Sequence, residues 1–297
     1  MASGSSSVHE GYVLVPGGRV WYCVIGSSGA IPLLALHGGP GFPHDYLEPL
    51  AALADERPVV FYDQLGGGDS DRPDDLSLWR VERFVEELAW VRRELGLDRV
   101  HILGHSWGSM LATDYALAQP SGLVSLVLAS PPLSIPRWVA DTMRLRRELP
   151  AAVQATLDRH EAAGTTDREE YQRAVTEYYQ RYLCRLNPWP EPMERSMAKV
   201  GWPVYNTMWG PSESCVTGNL QDYDRSGRLH EIRVPTLFTC GRYDEATPET
   251  TAWYSTLLPG SQAVVFEHSA HMTMLEEPER YAAVVRDFLH RAERAQA

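Results

Sequence analysis

Val100-His-Ile-Leu-Gly-His-Ser-Trp-Gly-Ser-Met110 is the stretch whose reading decides the fold. Val100–Leu103 is a short apolar run of the kind that forms a buried strand. It runs into Gly104-x-Ser106-x-Gly108, and a helical pattern follows from Ser109 to about Leu117. A serine at such a sharp strand-to-helix turn has a strained backbone and a hydroxyl lifted above the sheet. Flanking glycines spare that turn collisions with its neighbours. The helix start behind the serine brings backbone N–H groups and the positive end of the dipole near a reacting carbonyl. The five-residue pattern alone often marks nothing. With strand before and helix after, it makes Ser106 the candidate nucleophile.

Working outward, similar runs recur. Residues 12–25 alternate around Gly17-Gly18, which predicts a hairpin. Ile31–Leu36, Val59–Tyr62, Leu123–Ala129, Thr236–Thr239 and Gln262–Phe266 are short apolar or β-branched runs bounded by turn residues. Buried parallel strands read this way, so an α/β fold with helices flanking a mostly parallel sheet is expected. Ser77–Leu95 and Tyr281–Arg294 carry helical periodicity. Between about Pro131 and Pro211 the alternation stops. Helix-like segments at 136–149, 151–163 and 167–186 are followed by the break Pro188-Trp-Pro-Glu-Pro. The expected organisation is a core of residues 1–130 and 216–297, with a helical cap at 131–215 inserted after the sixth strand.

The whole chain has 297 residues, 44 % hydrophobic and 22 % charged, the balance of a globular protein. Its net charge of −12 argues against a nucleic-acid partner, which needs a clustered positive face. A cationic ligand remains compatible. No stretch approaches the roughly 18 apolar residues of a membrane span. Met1-Ala-Ser-Gly-Ser-Ser-Ser7 reads as a flexible leader rather than a secretion signal. Cys23, Cys184, Cys215 and Cys240 form no metal-ligand spacing and suggest reduced thiols in a cytoplasmic protein. No metal or cofactor is called for, and a monomer is the favoured state.

An unassisted serine is a poor nucleophile, so a base and an orienting acid are needed downstream. The strand at Thr236–Thr239 ends in Cys240-Gly-Arg-Tyr-Asp244-Glu245, and a carboxylate just past a strand end suits the acid. Val264–Phe266 leads to Glu267-His268-Ser269-Ala270-His271, which puts a histidine in the last strand-to-helix loop. Asp244 and His271 are therefore the candidate acid and base. Their plain alternatives are a helix cap for Asp244 and the rival His268 for the base. His37-Gly-Gly-Pro-Gly41 reads either as a tight turn or as an oxyanion loop. In the second reading Gly39 N–H and Trp107 N–H are the two donors.

These pieces resemble the proline iminopeptidase family of serine peptidases, on the α/β-hydrolase fold. The resemblance rests on HGGPG at 37–41, Phe61-Tyr-Asp-Gln-x-Gly-x-Gly-x-Ser70, the nucleophile turn, and Tyr243-Asp-Glu-x-Thr-Pro248. Trp209-Gly-Pro-Ser-Glu213, Thr217-Gly218 and Ser269-Ala-His-Met-Thr-Met274 are similar to the tricorn-interacting aminopeptidase and L-amino-acid amidase branch. There, two glutamates hold the substrate's free α-ammonium group. The resemblance transfers that role to Glu213 and Glu245, and it implies a small peptide or aminoacyl amide as substrate. It also implies removal of an N-terminal aminoacyl residue such as Pro or Ala.

Other expectations concern the pocket walls and the leaving group. Trp107 is a candidate for narrowing the acyl pocket. Gly66-Gly-Gly-Asp-Ser70 is assigned no role beyond backbone shape. The cap residues Trp138, Trp189, Trp202 and Trp209, with Met143, Met193, Met197 and Met208, read first as packing. Their other reading is an apolar passage, which would suit family members that strip a protecting aminoacyl group from a polyketide macrolactam intermediate. An esterase or thioesterase, and a non-catalytic ligand-binding homologue, are the alternatives from other classes.

Overall fold

The computed structural model describes residues 7–295, so the proposed leader lies, except for Ser7, outside the described residues. Eight strands form one sheet in the order β1-β2-β4-β3-β5-β6-β7-β8. They are β1 (Val8–Val15), β2 (Gly18–Ile25), β3 (Leu33–Leu36), β4 (Val59–Tyr62), β5 (Val100–His105), β6 (Leu123–Ala129), β7 (Thr236–Gly241) and β8 (Gln262–Phe266). β1 and β2 form the expected hairpin, and β2 also runs antiparallel to β4. All remaining pairs are parallel. Every residue of β3 to β7 is buried, as continuous apolar runs covered on both faces require.

Helices α1 (Val81–Glu94), α2 (Trp107–Leu117), α8 (Pro248–Leu257) and α10 (Pro278–Arg294) flank this sheet, with the short α9 at Thr273–Glu276. α2 packs on β5 and β6, and α8 packs on β7 and β8. From β3 the chain steps one way to β4, then crosses back to β5 on the other side. The crevice at such a switch point, beyond the carboxyl ends of the strands, is where open α/β sheets bind ligands. The HGGPG loop leaves β3 and the Ser106 turn leaves β5 at that place. Register keeps those ends level, with Leu36 opposite Gly104, His105 opposite Ala129, and Gly241 opposite Phe266.

Five helices separate β6 from β7: α3 (Ile135–Arg146), α4 (Ala151–Ala163), α5 (Glu169–Tyr182), α6 (Glu191–Ala198) and α7 (Trp202–Met208). The first three match the helical periodicity. The sequence reading missed α6 and α7 because their prolines look like breaks. Pro192 and Pro203 instead occupy first-turn positions, where the missing N–H costs nothing. The insertion packs in two ways. Leu145, Leu157, Tyr171, Val175 and Tyr178 form a small core of their own. Trp138, Met193, Tyr205, Met208 and Trp209 join the main core.

The Gly66–Ser70 loop does more than bend. Gly68 N–H donates to the Lys199 carbonyl at 3.2 Å, and Gly201 N–H donates to the Gly41 carbonyl at 2.8 Å. A Cβ on Gly201 would overlap the Gly66 carbonyl. The turn between α6 and α7 is therefore seated on both glycine loops, backbone against backbone. Ion pairs reinforce the seam: Arg195 binds Asp45 and Glu48, and Lys199 binds Asp45 and Asp69. Lys199 is the only lysine of the chain. All four cysteines are free thiols, and no helix among the described residues is long and apolar enough to cross a membrane.

Candidate active site

Ser106 has φ 53° and ψ −121°, outside the regions an ordinary side chain prefers. Such a conformation costs about 1–3 kcal/mol and persists only where the surroundings enforce it. Ser106 N–H donates to the Ala129 carbonyl at 2.9 Å, and the Ser109 N–H and hydroxyl both donate to the Ser106 carbonyl. The flanking glycines are required sterically. A Cβ on Gly104 would overlap the Gly108 carbonyl, and one on Gly108 would overlap the Leu36 carbonyl.

His271 and Asp244 meet, with Nδ1 2.7 Å from Oδ1. Both side chains are buried. Ala246 N–H also donates to Oδ1 at 2.8 Å, while the Ser130 hydroxyl and Gly241 N–H donate to Oδ2 at 2.6 and 3.2 Å. A carboxylate held by this many donors is fixed in place and ready to orient an imidazole. Ser106 and His271 lie on the wall of one pocket. The rival His268 is exposed.

The HGGPG loop is stiffened from within. The His37 Nε2 accepts Gln64 N–H at 2.8 Å, which leaves Nδ1–H to donate to the Gly38 carbonyl at 2.9 Å. Burial keeps this imidazole neutral by pulling its pKa down to about 4. Gly38 N–H donates to the Tyr46 hydroxyl at 2.6 Å, so it is not free to serve an oxyanion. Gly39 stands on the pocket wall, and Trp107 is the first residue of α2, where an N–H has no acceptor within the helix.

The Trp107 side chain corrects one expectation. Its indole N–H donates to Gln64 Oε1 at 2.8 Å and its ring packs edge-on against Phe84, fully buried. It points into the core and does not narrow the pocket. The pocket is walled instead by Phe42, Leu183 and Met272, with Glu213 beside them. It leaves room of about 10 Å³ for the centre of a water molecule, roughly one water. None of the insertion's tryptophans or methionines is on this wall. Trp138, Trp209, Met193 and Met208 are buried in packing, and Trp202 and Met143 are exposed.

Glu213 and Glu245 are both buried. Tyr205 donates to Glu213 Oε1 at 2.7 Å, and the Trp138 indole N–H holds the Glu213 backbone carbonyl at 2.8 Å. Glu213 Oε2 and both Glu245 oxygens have no hydrogen-bond partner among the described residues. Burial, then the charges of Glu213 and Asp244, push the Glu245 carboxyl well above the usual range. Burial likewise raises Glu213.

Comparison with known proteins places this geometry. A family model for the alpha/beta hydrolase fold matches residues 31–278. A proline iminopeptidase of Heyndrickxia coagulans is 51 % identical over 283 residues, covering 95 % of this chain and 98 % of that one. The chain belongs to the proline iminopeptidase family. Solved structures agree with that membership. VinJ superposes with a TM-score of 0.93 at 41 % identity, covering 96 % of this chain and 99 % of its own. Proline iminopeptidase of Mycobacterium smegmatis gives 0.90 at 40 % identity, covering 97 % and 100 %. The chain is thus a prolyl aminopeptidase-like serine hydrolase.

For this iminopeptidase-family member, sequence reasoning missed several residues around the site. Gln64 lies in the FYDQ motif, yet nothing local says that it joins His37 to Trp107. Ser130 follows a strand end and Tyr205 sits in a helix that was not foreseen. The sequence reading assigned no role to Tyr46 or His105. His105 stands inside the nucleophile motif, and that position was the one available signal.

Proposed function

We propose that this protein removes the N-terminal aminoacyl residue, proline, alanine or similar, from a short peptide or amide with a free α-amine. The observation that carries this reading is the pair Glu213, on the pocket wall, and its neighbour Glu245, two buried carboxyls with unsatisfied oxygens. Burying polar oxygens without partners is costly, and a ligand cation would supply the missing hydrogen bonds. An α-ammonium group held there fixes how far the substrate extends to its first carbonyl. Only the first amide bond then meets the nucleophile.

The route is acyl transfer. Ser106 Oγ attacks the carbonyl carbon as His271 Nε2 takes its proton, and Asp244 stabilises the imidazolium. Gly39 and Trp107 N–H groups hold the oxyanion. His271 then protonates the departing amine. Water, activated by His271, releases the amino acid and returns the proton to Ser106. Residues 131–215 act as the cap. Leu183 and Glu213 bring this cap onto the pocket wall. A long apolar leaving amine would need an apolar passage, and no observation favours one here.

The test is a panel of prolyl and alanyl anilides, free and N-acetylated. Free amines are expected to turn over and their acetylated forms to fail, since acetylation removes the cation. Equal rates on both would overturn the aminopeptidase reading.

A further inference from the structure

His105 precedes the nucleophile and is buried, with both ring nitrogens occupied. Gly38 N–H donates to the Tyr46 hydroxyl at 2.6 Å, and that hydroxyl lies 2.8 Å from His105 Nδ1. His105 Nε2 lies 3.0 Å from the His271 carbonyl oxygen. A carbonyl only accepts, so Nε2 carries a proton and donates to it. The Tyr46 oxygen receives Gly38 N–H and directs its own proton to Nδ1. One direction satisfies every atom: Gly38 N–H to Tyr46 O–H to His105 Nδ1, and His105 Nε2–H to the His271 carbonyl. This requires a neutral ring with its proton on Nε2.

We propose that His105, with Tyr46, is a positioning residue that locks the oxyanion loop, the nucleophile turn and the base loop into one geometry. The proposal rests on the catalytic assignment of Ser106 and His271 given above. Three loops from β3, β5 and β8 converge on this one imidazole. Ser130 cannot replace it, because its single hydroxyl proton goes to Asp244 at 2.6 Å, with the His271 carbonyl at 3.2 Å. The His105 and His271 rings meet edge-on, centroids 4.7 Å apart. Burial, and secondarily the neighbouring His271, hold His105 in its neutral form. At the other end, Tyr46 N–H donates to Ser196 Oγ of α6 at 3.0 Å, so the tyrosine is also anchored to the insertion.

The test uses the full chain and three variants, Tyr46→Phe, His105→Gln and His105→Leu. Each is assayed on a prolyl anilide and on a nitrophenyl ester that has no α-amine. Tyr46→Phe keeps ring and volume, so it carries the test if a His105 variant fails to fold. Misplacing reacting groups costs up to about 100-fold, so kcat is expected to fall about 10- to 100-fold on both substrates with KM little changed. His105→Gln, which keeps an amide N–H for the His271 carbonyl, is expected to retain more activity than His105→Leu. In long-range ¹H–¹⁵N spectra His105 is expected as the Nε2–H tautomer, unchanged over the range in which the enzyme gains activity.

Unchanged kcat on both substrates for a folded Tyr46→Phe enzyme overturns the proposal. So does a His105 signal that titrates or shows a proton on Nδ1. A loss confined to the anilide would also overturn it, because that pattern belongs to the ammonium site. The ester arm tests positioning even if the aminopeptidase reading fails, so the two failures are distinguishable.

Discussion

Glu213 and Glu245 bury neighbouring carboxyls, and three of their four oxygens have no hydrogen-bond partner among the described residues. Tyr178 stands near Glu245 without closing a hydrogen bond. A fold does not keep two desolvated, mutually repelling acids for stability, since each would prefer water. In the function proposed above, a cation completes the arrangement.

Glu213→Gln and Glu245→Gln should therefore lower kcat/KM for aminoacyl anilides while sparing an activated ester without an amine. A charge-assisted hydrogen bond is worth about 1.5–3 kcal/mol, which corresponds to losses of about 10- to 150-fold. Parallel assays of both substrates on each variant check this. Equal loss on the ester would point to a damaged fold instead.

The same pair gives a pH dependence with a definite sign. Carboxyls whose pKa is raised take up their protons at a higher pH than ordinary ones. As pH falls, the negative charge that the proposed function offers to the α-ammonium is lost early. KM for a free aminoacyl anilide should rise on acidification, starting above the usual carboxylate range near 4.5. KM for an amine-free ester should not show this rise. Measuring both KM values across the acidic range separates this effect from losses common to both substrates.

Asp244→Asn preserves shape but replaces an acceptor that receives the His271 ring N–H. The imidazole is then free to take the wrong tautomer. In a comparable triad this change lowers kcat about 10⁴-fold. A similar loss is expected here on both anilide and ester, with the melting temperature measured alongside to show that the variant is folded.

At the seam, Gly201→Ala places a methyl group against the Gly66 carbonyl, which cannot yield without shifting a backbone. Overpacking of this kind costs about 1–3 kcal/mol. Thermal and urea unfolding should show the loss. Gly227→Ala, where a Cβ meets nothing within 4 Å, is the control expected to leave the midpoint nearly unchanged.

The fold was legible because its strands are short apolar runs punctuated by glycine and proline, and because strand, Ser106 and helix follow one another directly. The meeting of Asp244 and His271 was foreseeable for the same reason, each lying just past a strand end. The supporting contacts were not. Tyr46 and His105 are 59 residues apart, and His105 and His271 are 166 apart. Local pattern carries no information about such meetings. Trp107 shows a different limit: the position of its N–H follows from the helix start, but the direction of its indole depends on Gln64 and Phe84. In α6 and α7 a proline that could end a helix sits in the first turn of one, and only the tertiary setting separates the two uses.

Lys199 lies at the joint between the helical insertion and the sheet, its ammonium shared by Asp45 and Asp69. Apart from the chain terminus it is the only primary amine the protein carries. Amine-directed labelling would thus behave as a single-site gauge. A tightly held ammonium reacts slowly, and any opening of the seam would quicken its acylation. A reagent that normally averages over a whole surface would here report the breathing of one joint.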